Sequence, residues 1–100
     1  MEKPLRKVIG GMRGREGMYV LPPDWSHVVA FLNGFSAGRK GSGLSCELTL
    51  FEQWLYEKIG NRCSSGWDWV VLNKFAEGDT QKALPKFYQL WDAFLQDEIP

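Results

Sequence analysis

Histidine and cysteine are scarce in this chain, and long apolar runs are missing. His27 is the single histidine, and Cys46 and Cys63 are the only cysteines. One imidazole and two thiols cannot fill a four-ligand zinc site, and their spacing follows no zinc pattern. Two cysteines are also too few for a disulfide framework. No stretch approaches the roughly 18 apolar residues of a membrane helix. The opening, Met1 to Lys7, lacks the apolar run of a signal peptide. The expectation is a cytoplasmic protein in a reducing compartment, with both thiols free, no metal, no cofactor and no membrane partner.

Net charge is missing too: 12 basic residues balance 12 acidic ones. A chain with no basic footprint is not expected to bind nucleic acid generally. The balance is uneven along the chain, however. Residues 1–43 carry Lys3, Arg6, Lys7, Arg13, Arg15, Arg39 and Lys40 against three acids, whereas residues 44–100 carry an acidic excess. An acidic half suits a basic protein partner.

What is abundant is aromatic area, 14% of the residues with five tryptophans. One hundred residues, 44% of them hydrophobic, make one domain, 1–100, able to bury its own core. The strongest pattern lies near the end. Leu84, Phe87, Tyr88, Trp91, Phe94 and Leu95 recur at steps of three and four, within an arc of about 120° on a helix. Gln89, Asp92 and Ala93 fall opposite. Glu77-Gly-Asp-Thr80 is the turn before this helix, with Asp79 or Thr80 as its cap. Pro85 is awkward there, because it lacks a donor and crowds the carbonyl of Gln81; a kink or a tight first turn resolves this. Asp97 and Glu98 oppose the helix dipole at its end, which hints at a partner.

Four earlier helices are expected. Residues 1–15 suit a short basic helix with Val8, Ile9 and Met12 on its apolar face, ended by Gly10, Gly11 and Gly14. Arg15 to Pro23 reads as an extended connector with a positive-φ turn at Gly17, and with Met18, Tyr19 and Leu21 tucked under the helices. Asp24 or Ser26 caps a second helix facing inward through Val28, Phe31, Leu32 and Phe35. Gly34 and Gly38, one turn apart, would let a neighbouring helix approach closely. Ser26-His27 suggests a nucleophile and base, but adjacent helical residues diverge by about 100° and no third orienting group is evident. The Arg39 to Gly43 loop lacks P-loop spacing and a preceding strand.

The third helix, Leu44 to Ile59, starts near Ser45 or Thr49. It lines up Leu48, Phe51, Leu55 and Ile59, widened by Leu50 and Trp54, and closes at Gly60. Glu47, Glu52 and Glu57 fall off that line and read as a solvated face rather than as catalytic carboxylates. The fourth helix is capped by Ser64 or Ser65 and faces inward through Trp67, Val70, Val71 and Phe75. Residues 67–72 also suit a strand, but no partner strand is visible, so helix is expected. Trp69 then points away from the inward face. It is either an anchor for a partner or a lid on the basic N-terminal segment.

The fold class expected is therefore all-α, a single-domain bundle of about five helices. Two stretches carry a resemblance. Arg13-Gly-Arg-Glu-Gly-Met-Tyr-Val20 followed by Val29-Ala-Phe-Leu-Asn-Gly-Phe35 resembles the "Arg-x-Arg-Pro-Gly-Met-Tyr" then "Phe-Leu-x-Gly-Tyr" opening of a group of small helical bacterial proteins. Phe51-Glu-Gln-Trp-Leu55, Trp67-Asp-Trp69 and the aromatic helix from Phe87 to Leu95 continue the likeness. Glu16 stands where the group has proline, and Phe35 where it has tyrosine. Members of the group look like immunity proteins, which neutralise toxins delivered by neighbouring bacteria, including contact-dependent growth inhibition toxins. The Gly-Met-Tyr stretch also resembles a segment of gyrase-type ATPases, but that fold needs a much longer chain and glycine-rich nucleotide motifs that are missing here.

The resemblance implies an immunity protein whose partner is a cognate toxin domain, and the acidic half of the chain points to a basic toxin, a nuclease. Such a protein is not an enzyme and has no small-molecule substrate. It carries no binding residues over to this chain. The residues expected to bind come from placement and charge: Trp69, Asp68, Glu77 and Asp79, with Glu52 and Glu57 as a second patch. The alternative is a regulatory or adaptor module that touches nucleic acid through the basic N-terminal segment.

Overall fold

The computed structural model describes residues 4–44, 46–60 and 65–98, with Glu98 described by its backbone alone. Ser45, Cys63 and Ser64, to which the sequence assigns a helix start, a thiol and a cap, lie outside the described residues. The chain is all-α. Five α-helices occur among the described residues: α1 (Pro4–Met12), α2 (Trp25–Gly41), α3 (Glu47–Ile59), α4 (Trp67–Val70) and α5 (Thr80–Glu98). No strand occurs among them, so the 67–72 run is helical. Among the described residues no helix is long and apolar enough to cross a membrane. The backbone contacts divide the chain into two compact units, Met1–Leu50 and Phe51–Pro100, with the division inside α3.

In the first unit Pro4 opens α1, where a missing N–H is no loss. Leu5, Ile9 and Met12 are fully buried, while Val8 is only half-buried, so the apolar stripe begins one turn earlier than the sequence suggests. Gly10 and Gly11 do not end the helix. Gly14 does, at φ +81°, a conformation glycine adopts without strain. The positive-φ turn thus lies at Gly14 and not at Gly17.

The first turn of α1 is held by a residue 42 positions away. Glu47, the first residue of α3, is only 3% exposed. Its Oε1 accepts a hydrogen bond from the Leu5 backbone N–H at 3.0 Å. Its Oε2 lies 4.0 Å from Arg6 Nε. A carboxylate at the start of a helix satisfies an orphan donor and meets the positive end of the dipole. The solvated-face expectation therefore fails for Glu47.

Asp24 caps α2 as expected: its Oδ1 accepts the His27 backbone N–H at 3.0 Å. Trp25, Val28, Leu32 and Ser36 are buried, with Phe31 and Phe35 half-buried. A Cβ on Gly34 or Gly38 would meet nothing within 4 Å, so neither glycine serves a close helix approach. The connector between α1 and α2 is a 3₁₀ turn at Glu16–Met18. Its apolar side chains do not tuck inward: Met18 is 81% exposed and Leu21 79%. Tyr19 rests edge-on against Phe31, their centroids 6.0 Å apart.

The second unit is built on Phe51. This fully buried ring has the rings of Trp54, Trp67, Phe87, Trp91 and Phe94 around it, with centroids 5.4–6.3 Å away. That is the spacing at which aromatic edges and faces attract. The α5 stripe behaves as read, with Phe87, Tyr88, Trp91 and Phe94 buried and Gln89, Asp92 and Ala93 exposed. Ala83 joins the core, and Leu84 and Leu95 are half-buried at its edge. Pro85 stands inside α5; in the second turn it has no N–H to give the carbonyl of Gln81. Leu50, assigned to the apolar line of α3, is 40% exposed instead.

The acidic end of α5 has an internal role. Asp97 Oδ2 accepts a hydrogen bond from Trp54 Nε1 at 2.7 Å and lies 3.5 Å from Lys58 Nζ. Lys58 also stands over the Trp54 ring, 5.2 Å from its centroid. The Asp97 carboxyl is held below its ordinary value of 3.8, first by the indole hydrogen bond and then by the Lys58 charge. A carboxyl lowered on folding stabilises the folded chain above the ordinary carboxylate range and loses that contribution as the pH falls through its folded value. Carboxyl NMR titration is therefore expected to place the Asp97 midpoint under 3.8, and Trp54→Phe to move it upward. A midpoint at or above 3.8 contradicts this contact.

Candidate functional site

The stretch from Gly66 to Asp79 is built by local constraints. Gly66 precedes α4 at φ +96°, and a Cβ there would stand 3.1 Å from Asp68 Oδ1 and 4.0 Å from Glu52 Oε2. Glu52 Oε2 accepts the Trp67 backbone N–H at 3.1 Å. Two of the sequence-assigned acids, Glu52 and Asp68, thus meet at the start of α4, where carboxylates are favoured by the unpaired N–H groups. Glu52 is half-buried and engaged there, which corrects its placement on a solvated face. Glu57 is exposed, five residues further along α3.

Trp67, Val70 and Val71 are buried, and the alternation leaves Trp69 39% exposed. From Val71 to Phe75 the backbone widens into a π turn, closed by the Ala76 N–H on the Val71 carbonyl at 3.0 Å. Such wide turns recur at functional sites. The Asn73 side-chain amide donates to the Trp69 carbonyl at 3.1 Å. Its oxygen lies 3.9 Å from where a Gly78 Cβ would be, so Asn73 stands near the turn that follows. Lys74 Nζ stands 5.8 Å from the centroid of the Trp69 ring. The sequence reading missed Asn73 and Lys74. The four-residue spacing from Trp69 is the signal that finds Asn73 on a helix; Lys74, five residues on, falls on another face of a regular α-helix, and the widened Val71–Phe75 turn is not legible in the spacing.

The turn into α5 holds a backbone outlier. Glu77 adopts φ +57° beside Gly78 at φ +78°. A left-handed glutamate is disfavoured by about 1 kcal/mol or more relative to glycine. Its side chain is exposed, so packing does not account for it, and strain of this kind clusters at binding surfaces. Glu77→Gly is expected to raise stability by up to about 1 kcal/mol in chemical denaturation, because it relieves that strain. A loss of stability shows that the Glu77 side chain stabilises the fold. Asp79 is less available. Its Oδ1 accepts the Gln81 N–H at 2.9 Å and so caps α5.

The structure therefore sorts the six expected residues. Trp69, Glu77 and Glu57 are exposed, Asp68 is half-buried beside Gly66, and Glu52 and Asp79 are engaged at helix starts.

A separate polar cluster sits at the start of α2, in the first unit. Asp24 supplies the orienting group that the sequence did not reveal, with Oδ1 2.6 Å from His27 Nδ1. Ser26 Oγ, however, donates to the same Asp24 oxygen at 3.2 Å. A nucleophile needs its hydroxyl on the imidazole. Here both side chains converge on the carboxylate, and the Asp24 carboxyl is pulled below its ordinary value, chiefly by the His27 hydrogen bonds. The cluster reads as an elaborated helix cap.

Cys46 is a free, buried thiol. Among the described residues no group of three or more His, Cys, Asp or Glu side chains is placed to hold a metal ion. Comparison with protein-family models, curated proteins and solved structures finds no match to this chain.

Proposed function

We propose that this chain is an immunity protein. In this reading it acts in the cytoplasm, binds a toxin domain delivered by a neighbouring bacterium, and blocks that toxin by covering its active site. The observation that carries the reading is Trp69, a large aromatic side chain left 39% exposed while Trp67 and Val70 are buried. It adjoins Asp68, and Asn73, which donates to its carbonyl, stands near the strained turn bearing Glu77. Tryptophan is a frequent energetic anchor of protein interfaces. Acidic groups around it speed encounter with a basic surface and meet the cations with which a nuclease holds phosphates. A nuclease is the favoured partner for that reason. The resemblance of the Arg13–Val20 and Val29–Phe35 stretches supports the same class.

The test is co-expression with the toxin domain encoded beside this chain. Growth is expected to be rescued and the two proteins to co-purify. Trp69→Ala combined with Glu77→Lys is expected to weaken the complex by about 2 kcal/mol or more, the scale of an interface hot spot. Growth arrest despite full expression of this chain would exclude the reading. Binding of nucleic acid by the isolated chain, lost steeply with salt, would favour an adaptor working through its basic N-terminal segment.

A further inference from the structure

The connector between α1 and α2 presents three large apolar side chains to solvent within four residues. Met18 is 81% exposed, Leu21 79% and Tyr19 42%. Single exposed apolar residues are ordinary, but three together form a patch. The charge beside it is basic. Lys7, Arg13 and Arg15 are all exposed. The nearby acid, Glu16, is half-buried and turned onto the Gly14 N–H at 2.9 Å. Methionine, tyrosine and arginine are residue types that protein interfaces enrich, and lysine-rich membrane-binding clusters are larger than this one.

The complementary chemistry is on the same chain. Trp69 is exposed, Asp68 adjoins it, and Glu77 is held outward at a strained backbone position. The Trp69 ring already attracts a cation, since Lys74 Nζ lies 5.8 Å from its centroid. An arginine suits such a ring better than a lysine does, because its planar guanidinium also stacks.

We infer that this chain self-associates, with the Arg13–Leu21 connector of one copy seated on the Trp69–Glu77 surface of a second copy. Arg15 meets the acids and the indole face, and Met18 and Leu21 cover the rest of the exposed indole. The contact is small, so the association is reversible and concentration-dependent. Opposite charges make it sensitive to salt. The inference goes beyond the function proposed above and stands without it.

Sedimentation of the full chain tests it, from about 10 µM to about 1 mM, the range that a contact at the small end of the interface scale requires. The average mass is expected to rise above the 11.4 kDa of one chain. Raising salt from about 0.05 M to about 0.5 M is expected to weaken association roughly tenfold. The double variant Met18→Ser/Leu21→Ser and the single variant Trp69→Ser are each expected to remain monomeric, with unchanged circular dichroism. Mixing the two variants is expected to restore pairing, because each retains the surface the other has lost. A monomer at every concentration overturns the inference, as does association that survives either variant or a mixture that stays monomeric. Binding of the monomer to phosphatidylserine vesicles, without self-association, also overturns it and assigns the connector to an anionic bilayer.

Discussion

Phe51→Ala is expected to destabilise the fold by about 3–5 kcal/mol, the range for removing a fully buried aromatic ring. The ring is 0% exposed and five other rings surround it. Truncation removes its buried area and leaves a void lined by Trp54, Trp67, Phe87, Trp91 and Phe94. These large, flat side chains cannot collapse into the space without leaving their rotamers. Against a total stability of roughly 5–15 kcal/mol for a domain of this size, such a loss is a large share of the whole. Phe51→Leu retains most of the volume and is expected to cost less than half as much. Urea denaturation followed by tryptophan fluorescence measures both. A Phe51→Ala loss under about 1 kcal/mol would show that the cluster is not the core of its unit.

Glu47→Ala is expected to cost about 3 kcal/mol, although it removes a charge from a sequence rich in acids. The substitution leaves the Leu5 N–H without the oxygen now 3.0 Å away and removes the carboxylate beside Arg6. Glu47→Gln keeps an acceptor oxygen and loses the charge, so a smaller loss is expected, about half that of alanine. Denaturation midpoints compare the two variants. Amide exchange at Leu5 and Arg6 should report the local effect, with the first turn of α1 opening more often in Glu47→Ala. Equal stability of wild type and Glu47→Ala would remove this carboxylate from the account of the fold.

These two residues also mark where sequence reading succeeds and where it stops. Phe51 belongs to a repeating line, Leu48, Phe51 and Leu55, and a helix that buries one face writes that face into its spacing. The α5 stripe is legible for the same reason, as is the cap at Asp24. Glu47 is not legible, because its partner is 42 residues distant and no local pattern encodes a cap supplied by another helix. Asp97 misleads likewise: viewed along α5 it opposes the dipole, and the Trp54 indole and Lys58 of α3 explain it. Met18 and Leu21 fail in the other direction. Apolar composition implies burial, yet burial is a one-way tendency, and a loop can leave such side chains in water.

The candidate surface was partly readable. A helix that buries Trp67, Val70 and Val71 must turn Trp69 outward, and it does. The π turn, the left-handed Glu77 and the Asn73 hydrogen bond to the Trp69 carbonyl depend on backbone geometry that residue types do not specify. In sequence Asp79 reads as part of the patch around Trp69, and Glu52 as part of a second patch with Glu57. The Asp79 and Glu52 carboxylates cap α5 and α4 instead, which leaves Trp69 and Glu77 as the side chains a partner would meet first.

The central claim is that this helical scaffold acts through the surface bearing Trp69 and Glu77. The most direct measurement is titration calorimetry of the cognate toxin domain against wild type and against the Trp69→Ala/Glu77→Lys variant. Circular dichroism establishes first that both are equally helical. The account predicts tight binding by the wild type and a loss of about thirtyfold or more in the variant, the equivalent of an interface hot spot. Undiminished affinity in the folded variant would contradict it.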